Sequence, residues 1–218
     1  MIEVKNLTKS YRTEKGRYFV FRDLSFTVPA GKSAALLGRN GQGKSTLLRL
    51  LAGQDRPDRG AILCEKTISW PIGLASIFQA SLTGRENAKF VARVHGIDRE
   101  HMREIVRYVE DFSEIGKHFD MPVRTYSSGM RGRLAFGLSL AFNFDYYLID
   151  EALSVGDARF KKKATDAMNE KIGKANVILT SHGMSQVKQM CDMVFLLRNG
   201  TIEQYDDVDA GIVAYEKS

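Results

Sequence analysis

Residues Gly38 to Thr46 read Gly-Arg-Asn-Gly-Gln-Gly-Lys-Ser-Thr, in which two glycines separated by four residues precede a lysine and a serine. In this pattern the glycines let backbone N–H groups turn toward phosphate oxygens, Lys44 reaches the β- and γ-phosphates, and the Ser45 hydroxyl can ligate Mg²⁺. The alternative is a glycine-rich turn that only caps a helix. The residues predicted to contact a nucleotide are Gly38, Arg39, Asn40, Gly41, Gln42, Gly43, Lys44, Ser45 and Thr46.

The flanks of this loop favour the nucleotide hypothesis over the simple cap. The preceding residues, Ser33 to Leu37, form a short apolar run suited to a buried strand. The following residues, Ser45 to Ala52, are mostly strong helix formers. Strand, loop and helix therefore follow in the order that a phosphate-binding loop requires.

Composition is that of an ordinary globular protein, with 44% hydrophobic and 27% charged residues in a chain of 218. Apolar runs such as Met193 to Leu197 fall far short of the roughly 18 residues of a membrane span, and Met1 to Lys5 has no apolar signal core. These features predict a cytoplasmic protein. Cys64 and Cys191 are far apart and are expected to be reduced structural thiols.

The net charge of +6 does not select a partner, because basic residues are spread along the chain and mixed with acidic ones. The densest basic cluster, Arg159 to Lys163, is expected to form a solvated helix face rather than a dedicated binding patch.

The hydrophobic pattern predicts a β-rich beginning followed by alternating α and β elements. A mostly helical stretch is predicted over roughly Leu82 to Phe142, where Arg99 to Phe112 has apolar residues at helical spacing. An Asn199-Gly200 turn predicts a hairpin near the end. The predicted strands are Ile2–Leu7, Phe19–Phe21, Leu24–Val28, Ala34–Leu37, Tyr146–Ile149, Val177–Thr180, Met193–Leu197 and Thr201–Tyr205.

A second group of candidate residues ends the apolar run from Tyr146 to Ile149, where Asp150 and Glu151 follow directly. Open α/β sheets bind ligands at the carboxyl ends of their strands. Asp150 is therefore expected to hold the Mg²⁺ that Ser45 also contacts, and Glu151 to orient and deprotonate the attacking water. An Asp-Glu pair after a strand often only starts a loop or caps a helix. It indicates a catalytic site here because the same chain contains the phosphate loop.

Further short motifs occur in a fixed order along the chain. Tyr126 to Arg131 lies upstream of the Asp150 strand, Gln79 follows an apolar pair, His182 follows a predicted strand, and Tyr11 lies in the first β segment. Together with Ser154 to Asp157, this set resembles the ABC-type ATPases over the whole chain. Tyr126 to Arg131 resembles the signature motif, Gln79 the Q-loop and His182 the switch histidine of that family. Tyr11 resembles its adenine-stacking aromatic residue, and Ser154 to Asp157 resembles its D-loop.

The resemblance implies an α/β fold of the ABC type: a β-rich N-terminal subdomain, a mostly parallel core sheet and an inserted helical subdomain at approximately 82–142, all within one nucleotide-binding domain, 1–218. It also implies ATP and Mg²⁺ as cofactors. Tyr11 would stack on adenine, Gln79 would sense Mg²⁺ and the attacking water, and His182 would donate to the γ-phosphate. The implied metal set is Ser45, Gln79 and Asp150, and the implied catalytic set is Glu151, His182 and Gln79.

Each of these roles has a structural alternative. Gln79 can simply end a strand, Tyr11 can pack in the β-rich part, and Ser127, Ser128 and Gly129 can be only a helix N-cap. The same N-terminus also suits a phosphate. In the family the signature acts on nucleotide bound by the opposite subunit, which implies a homodimer with two ATP molecules between the chains.

Departures from the usual signature identify a subfamily. Tyr126 stands for leucine, Ser128 for the first glycine and Met130 for glutamine. With Ile68–Gly73 and Ser81–Asn87, these residues resemble the ATP-binding subunits of bacterial polysaccharide exporters, the capsular branch most of all. The resemblance implies an ATPase at the cytoplasmic face of the bacterial inner membrane that powers polysaccharide export through a separate integral-membrane permease.

Two rival functions are considered. A soluble ABC ATPase acting on DNA or the ribosome is disfavoured because the chain has one phosphate loop and a short spacing between Lys44 and Ser127, so no nucleic-acid partner is expected. A catalytically dead scaffold is disfavoured because the catalytic residue types are present. The segment Ser81 to Phe90, including Leu82, is expected to contact the permease, although Thr83 and Glu86 also fit a capping box.

Overall fold

The computed structural model describes residues 1–72, 78–150, 157–181 and 183–218. The chain divides into two compact units, the first comprising Met1–Pro71, Phe144–Glu151 and Ala175–Ser218, and the second comprising Ile72–Asn143 and Ala152–Lys174.

The secondary structure alternates between strands and helices after a β-rich start. The strands are β1 Ile2–Thr13, β2 Gly16–Val28, β3 Ala34–Leu37, β4 Arg59–Cys64, β5 Ile68–Ile72, β6 Tyr146–Asp150, β7 Asn176–Thr180, β8 Met193–Arg198 and β9 Thr201–Tyr205. The helices are α1 Lys44–Leu51, α2 Gly84–Val94, α3 Arg99–Ser113, α4 Ser128–Ala141, α5 Ala158–Ile172, α6 Met184–Met190 and α7 Val208–Glu216.

The β-rich beginning is an antiparallel sheet of three strands in the order β2-β1-β4. β1 is longer than the predicted Ile2–Leu7, because its second half stays paired with β2 and places Tyr11 opposite Tyr18. β4 was not predicted from the sequence. Its second residue is Gly60, at φ 83°, where a Cβ would collide with the carbonyl oxygen atoms of Lys5 and Asn6, so this close approach of two strands depends on glycine.

The larger sheet of the first unit has the order β5-β6-β7-β3-β8-β9. The pairs β6 with β7, β7 with β3, and β3 with β8 are parallel, and β8 with β9 is antiparallel. The predicted mostly parallel core sheet is thereby confirmed. The predicted hairpin is also confirmed, and Asn199 and Gly200 adopt φ values of 50° and 78°, as a type I′ turn requires.

The core of the first unit is built from both of its sheets and from α1. Buried residues of β1 and β2, such as Leu7 and Phe21, belong to the same cluster as Leu47 of α1 and Leu148 of β6. All of these side chains are at most 1% exposed. The helix that follows the phosphate loop is therefore fixed along its buried face, which fixes where its N-terminus lies.

The second unit is mainly helical and contains α2, α3, α4 and α5. Phe112 of α3 packs against Phe136 of α4 and Phe160 of α5, with ring centroids 6.1 and 5.7 Å away. The predicted capping box at the start of α2 is confirmed, because the Thr83 hydroxyl accepts from the N–H of Glu86 and the Glu86 carboxylate accepts from the N–H of Thr83.

The basic cluster on α5 is only partly the solvated face that the sequence suggested. Phe160 is buried, and Lys163 donates to Glu114 at 2.8 Å and to the carbonyl oxygen of Phe112 at 3.0 Å. Cys64 and Cys191 are free thiols. No helix in the described ranges has the length and hydrophobicity of a transmembrane segment.

Candidate functional site

The phosphate loop joins β3 to α1, the arrangement that its sequence predicts. Gly43 is the N-cap residue of α1 with φ 96°, and within the described ranges no side chain caps this helix end by a hydrogen bond. A Cβ at Gly43 would lie 2.5 Å from Val20 Cγ1 and 2.9 Å from Phe21 Cζ, and one at Gly38 would lie 2.5 Å from the Leu197 carbonyl oxygen. Both glycines are therefore required sterically, and the helix N-terminus leaves its first N–H groups for an anion.

Lys44 and Gln42 fix the shape of the loop. The Lys44 ammonium donates to the carbonyl oxygen atoms of Gly38 at 2.6 Å and Arg39 at 3.3 Å, which places its charge over the loop. The Gln42 side-chain oxygen accepts from the backbone N–H of Asn199 at 2.7 Å, in the turn between β8 and β9. The turn of the β8–β9 hairpin thus holds the phosphate loop through this hydrogen bond.

A cavity of about 500 Å³ opens over the loop. This volume is within the usual range for a small-molecule site, and the lining combines aromatic rings with a lysine, hydroxyls and a carboxylate. Tyr18, which the sequence analysis did not single out, is 57% exposed and lies across the strand pair from Tyr11. The lining residues are Tyr11, Tyr18, Val20, Asn40, Gly41, Gly43, Lys44, Ser45, Thr46 and Asp150.

Asp150 reaches this cavity from the carboxyl end of β6. The Thr180 hydroxyl, at the end of the neighbouring β7, donates to Asp150 Oδ1 at 2.7 Å. Thr180 is fully buried and lies opposite Asp150 in the parallel register. One carboxylate oxygen of Asp150 is thus fixed by a buried hydroxyl, and Asp150 lines the same cavity as Ser45.

Gln79 belongs to the second unit, and its backbone is held by Asn87 of α2. The Asn87 side chain accepts from the N–H of Gln79 at 2.9 Å and donates to its carbonyl oxygen at 3.1 Å. The same amide nitrogen lies 2.9 Å from the Thr83 carbonyl oxygen and 3.3 Å from that of Leu82. Asn87 is fully buried, and its side chain bonds both backbone groups of Gln79 and lies within hydrogen-bond distance of the carbonyl oxygen atoms of Leu82 and Thr83.

Asn87→Ala is expected to lower the free energy of unfolding by about 2–3 kcal/mol, because leaving a buried hydrogen-bonding group unsatisfied costs about 1–3 kcal/mol. Arg93→Ala, an exposed position in the last turn of the same helix, is the matched control and should change stability little. Urea denaturation of both variants measures the difference. Equal stability of the two would contradict the role assigned to Asn87.

The signature residues form the N-terminus of α4 in the second unit. The Ser127 hydroxyl accepts from the N–H of Met130 at 3.2 Å, so Ser127 is a helix N-cap as one alternative held. Ser127 and Gly129 also line a cavity of about 430 Å³. A Cβ at Gly129 would meet only Ser127 Oγ at 3.9 Å, and Ser128 is exposed. The helix end is therefore both capped and accessible.

Tyr126, where the usual signature has leucine, is explained by its surroundings. Its side chain is buried, its hydroxyl donates to the His118 carbonyl oxygen at 2.6 Å, and it accepts from the N–H of Gly84 at 3.2 Å. Burial raises the pKa of this phenol, which therefore stays protonated. The departure links the signature to the N-terminus of α2 within the same unit.

Arg133 lines the same cavity as Ser127 and Gly129 and was not predicted from the sequence, whereas its partner Asp157 belongs to the D-loop resemblance. The Arg133 guanidinium donates to Asp157 at 2.8 Å, lies 3.7 Å from Glu114, and stacks 4.6 Å from the centroid of Phe160. The backbone N–H of Phe160 and the charge of Arg133 lower the pKa of Asp157. Arg133 thus connects α4 to Asp157, the N-cap residue of α5. Asp157 is also the last residue of the D-loop resemblance.

Two of the predicted catalytic residues, Glu151 and His182, lie outside the described residues, as do Ser154, Val155 and Gly156 of the D-loop resemblance. The phosphate loop fits a nucleoside triphosphate, because the N–H groups at the N-terminus of α1 and the Lys44 ammonium can both bind phosphate oxygen atoms. Ser45 and Asp150 fit Mg²⁺, which is usually held by one or two protein oxygen atoms together with phosphates and waters. Among the described residues, no group of three or more His, Cys, Asp or Glu side chains is placed to hold a metal ion.

Comparison with known proteins decides the family. The sequence model of the family described as ABC transporter matches residues 21–154. The chain belongs to the ABC transporter family. As an ABC ATP-binding chain it is 54% identical over 217 residues, 99% of this chain and 96% of the relative, to the polysialic acid transport ATP-binding protein KpsT of Escherichia coli.

A second relative of this ABC chain is the capsule polysaccharide export ATP-binding protein CtrD of Neisseria meningitidis serogroup B, 44% identical over 99% of this chain and 97% of the relative. Among solved structures, a dimeric ATP-binding cassette in a post-hydrolysis state bound to ADP and Pi superposes with a TM-score of 0.73, covering 93% of this chain and 97% of that chain. Its identity is 21%, so this similarity shows the ABC fold alone. The predicted fold class and family are confirmed.

Proposed function

We propose that the chain is the ATP-hydrolysing subunit that powers export of a polysaccharide, of the capsular type, across the cytoplasmic membrane through a separate permease. The observation that carries this proposal is the near full-length identity of 54% to a polysialic acid transport ATP-binding protein. The phosphate-loop cavity, with Lys44, Ser45 and Asp150 on its wall, supports ATP as the energy source. The same relatives favour export over action on DNA or the ribosome.

The residues of the first unit have distinct tasks in this mechanism. Lys44 and the open N-terminus of α1 bind and neutralise phosphate oxygens, and Tyr11 stacks on the adenine. Ser45 and Asp150 hold Mg²⁺, which when bound neutralises charge on the β- and γ-phosphates. Most of the rate acceleration then comes from positioning and from charge stabilisation of a loose transition state.

Three residues complete the chemistry in this proposal. Glu151, next to Asp150 in the sequence, accepts a proton from the attacking water, and His182 donates to the γ-phosphate. Gln79 senses Mg²⁺ and the attacking water in this proposal. Its backbone is held by the side chain of Asn87 on α2, so a change at Gln79 would be transmitted to that helix. The metal set Ser45, Gln79 and Asp150 is part of the same proposal.

The proposed assembly is a homodimer with two ATP molecules between the chains. Ser127, Ser128 and Gly129 would act on the nucleotide of the opposite subunit, and the accessible N-terminus of α4 supports this role. Closure around ATP and reopening after hydrolysis would drive the permease. The dimer would bind that permease at the cytoplasmic face of the inner membrane.

The surface proposed to receive the permease lies on α2. Phe90 is 45% exposed and Val94, one turn later on the same face, is 67% exposed. Leu82, which the sequence also suggested, is half-buried, and its carbonyl oxygen accepts from the N–H of Val123. Phe90 and Val94 therefore offer the better test, because charging them does not disturb the interior.

The double variant Phe90→Glu, Val94→Glu is expected to lose association with the permease and to keep ATP hydrolysis and thermal stability. Two carboxylates would be desolvated against an apolar partner, which is unfavourable. Val213→Glu, a 46% exposed apolar position on α7, is the control and should still bind. Co-purification with the permease from detergent-solubilised membranes measures binding. Normal co-purification of the folded double variant would remove this surface from the proposal.

The overall proposal is tested by isolating the chain from membranes of its own organism. We expect an integral-membrane permease to co-purify, and ATP hydrolysis by the complex. Recovery of the chain with ribosomes or DNA, and not with membranes, would favour the rival function.

A further inference from the structure

The hydroxyl of Tyr11 is hydrogen-bonded to a carboxylate from a distant part of the chain. Tyr11 Oη donates to Asp55 Oδ2 at 2.9 Å, although the two residues are 44 positions apart. Tyr11 lies on β1 and lines the phosphate-loop cavity, whereas Asp55 follows α1 and does not line it. Tyr11 therefore lines the cavity, and its hydroxyl is hydrogen-bonded to Asp55, which does not line it.

Asp55 is itself held in place by Lys9. Lys9 Nζ donates to Asp55 Oδ1 at 2.6 Å and to the carbonyl oxygen of Arg56 at 2.9 Å, and its side chain is only 9% exposed. Asp55 Oδ1 also accepts from the N–H of Arg56 at 2.8 Å. Burial alone would raise the pKa of Asp55, but hydrogen bonds from Lys9 and Tyr11 lower it, so the carboxylate is charged at neutral pH.

Lys9 also constrains which face of the Tyr11 ring a ligand can use. Its ammonium lies over the ring, 4.9 Å from the centroid. One face is thus covered by a buried cation that is already paired with Asp55, and a flat ligand can stack only on the other face. The hydroxyl bond to Asp55 fixes the position of the outer end of the side chain, and the Lys9 ammonium over one face restrains rotation of the ring.

We propose that Asp55 and Lys9 are positioning residues that hold the Tyr11 ring in the orientation in which it stacks on the adenine of ATP. This inference rests on the proposed function, in which Tyr11 contacts the base. A stacked base contributes roughly 5- to 150-fold to affinity, and it does so fully only when the ring is held before the ligand arrives. Neither Asp55 nor Lys9 contacts the nucleotide in this account.

The competing explanation is that the network only fastens the segment after α1 to β1. The hydroxyl of Tyr11 separates the two explanations, since Tyr11→Phe removes the bond to Asp55 and leaves the Lys9–Asp55 ion pair intact. A fastening role predicts that this variant binds ATP normally. A positioning role predicts weaker binding of ATP and no effect on a ligand that has no base.

The experiment compares binding of Mg²⁺-free ATP and of tripolyphosphate to the full-length chain by isothermal titration calorimetry. Tyr11→Leu should weaken ATP binding roughly 5- to 150-fold. Tyr11→Phe and Asp55→Ala should each weaken it about 2- to 10-fold, the range of one ordinary hydrogen bond. The double variant should bind ATP no more weakly than Asp55→Ala alone, because the Tyr11 hydroxyl has no carboxylate to bond to once Asp55 is removed. Binding of tripolyphosphate should be unchanged throughout.

A matched control lies in the same segment. Asp58 accepts from the Ser10 backbone and hydroxyl at 2.8 and 2.5 Å and makes no hydrogen bond to Tyr11 among the described residues. Asp58→Asn should therefore bind ATP as the unmodified chain does. In steady-state assays, Tyr11→Phe and Asp55→Ala should raise KM for ATP and leave kcat unchanged, since the reacting phosphate is not affected.

Several results would overturn the inference, and they can be told apart. If Tyr11→Leu weakens ATP binding but Tyr11→Phe and Asp55→Ala do not, the positioning role is wrong and the proposed stacking stands. If Tyr11→Leu has no effect, the stacking itself is wrong and the inference falls with it. If tripolyphosphate binding falls as much as ATP binding, the network shapes the loop and does not position the ring.

Discussion

Glu151→Gln is expected to lower ATP turnover by about 10²- to 10⁴-fold, because a positioned general base typically contributes that much. Binding of ATP should persist, since Lys44 and Ser45 provide the phosphate and metal contacts in the proposal. The measurement is steady-state phosphate release from the purified variant, together with calorimetric titration of ATP.

The matched control for this variant is Glu170→Gln, which makes the same chemical change at an exposed position of α5. Its turnover should equal that of the unmodified chain. Near-normal hydrolysis by Glu151→Gln would show that another group activates the water. A parallel loss of ATP binding would show that the substitution disturbs the site as a whole.

Mixing two inactive variants is expected to restore activity if each site is built from both chains. Lys44→Ala removes the phosphate contact, and Ser127→Arg blocks the signature at the N-terminus of α4. In the heterodimer, one site combines an intact Lys44 with an intact Ser127. Random exchange should recover about one quarter of the unmodified activity, because about half of the dimers are mixed and each has one of two symmetric sites.

The control mixture combines Lys44→Ala with Asp150→Asn. Both substitutions lie in the cavity of the first unit, so every heterodimer site would still pair a damaged cavity with an intact signature. This mixture should remain inactive. Equal activities of the two mixtures, with chain exchange demonstrated by differently tagged copies, would contradict the composite site.

The sequence predicted the parts of the site whose residues perform separate tasks within a short segment. Gly38 and Gly43 leave no room for a Cβ, and Lys44 places a positive charge over the loop, so the loop is recognisable from these residue types alone. Asp150 was predictable because a buried apolar strand that ends in an acid brings that acid to the edge of the sheet.

Residues that act through tertiary contacts were not predictable. Asn87 resembles a surface residue of an amphipathic helix, and it is buried only because the turn from Gln79 folds back over α2. Thr180 is the last residue of an apolar strand, and its partner is on a different strand. Asp55 follows a helix in a segment typical of a turn, and its contacts depend on β1, more than 40 residues earlier.

The most direct test of the account is to measure polysaccharide inside and outside the organism when this chain is absent, unmodified or replaced by Lys44→Ala. We predict that absence and Lys44→Ala both abolish surface polysaccharide, that it accumulates in the cytoplasm, and that the unmodified chain restores export. Immunodetection on intact and permeabilised organisms, with total polysaccharide as the control for synthesis, gives the result. Normal surface polysaccharide without the chain would contradict the proposed function.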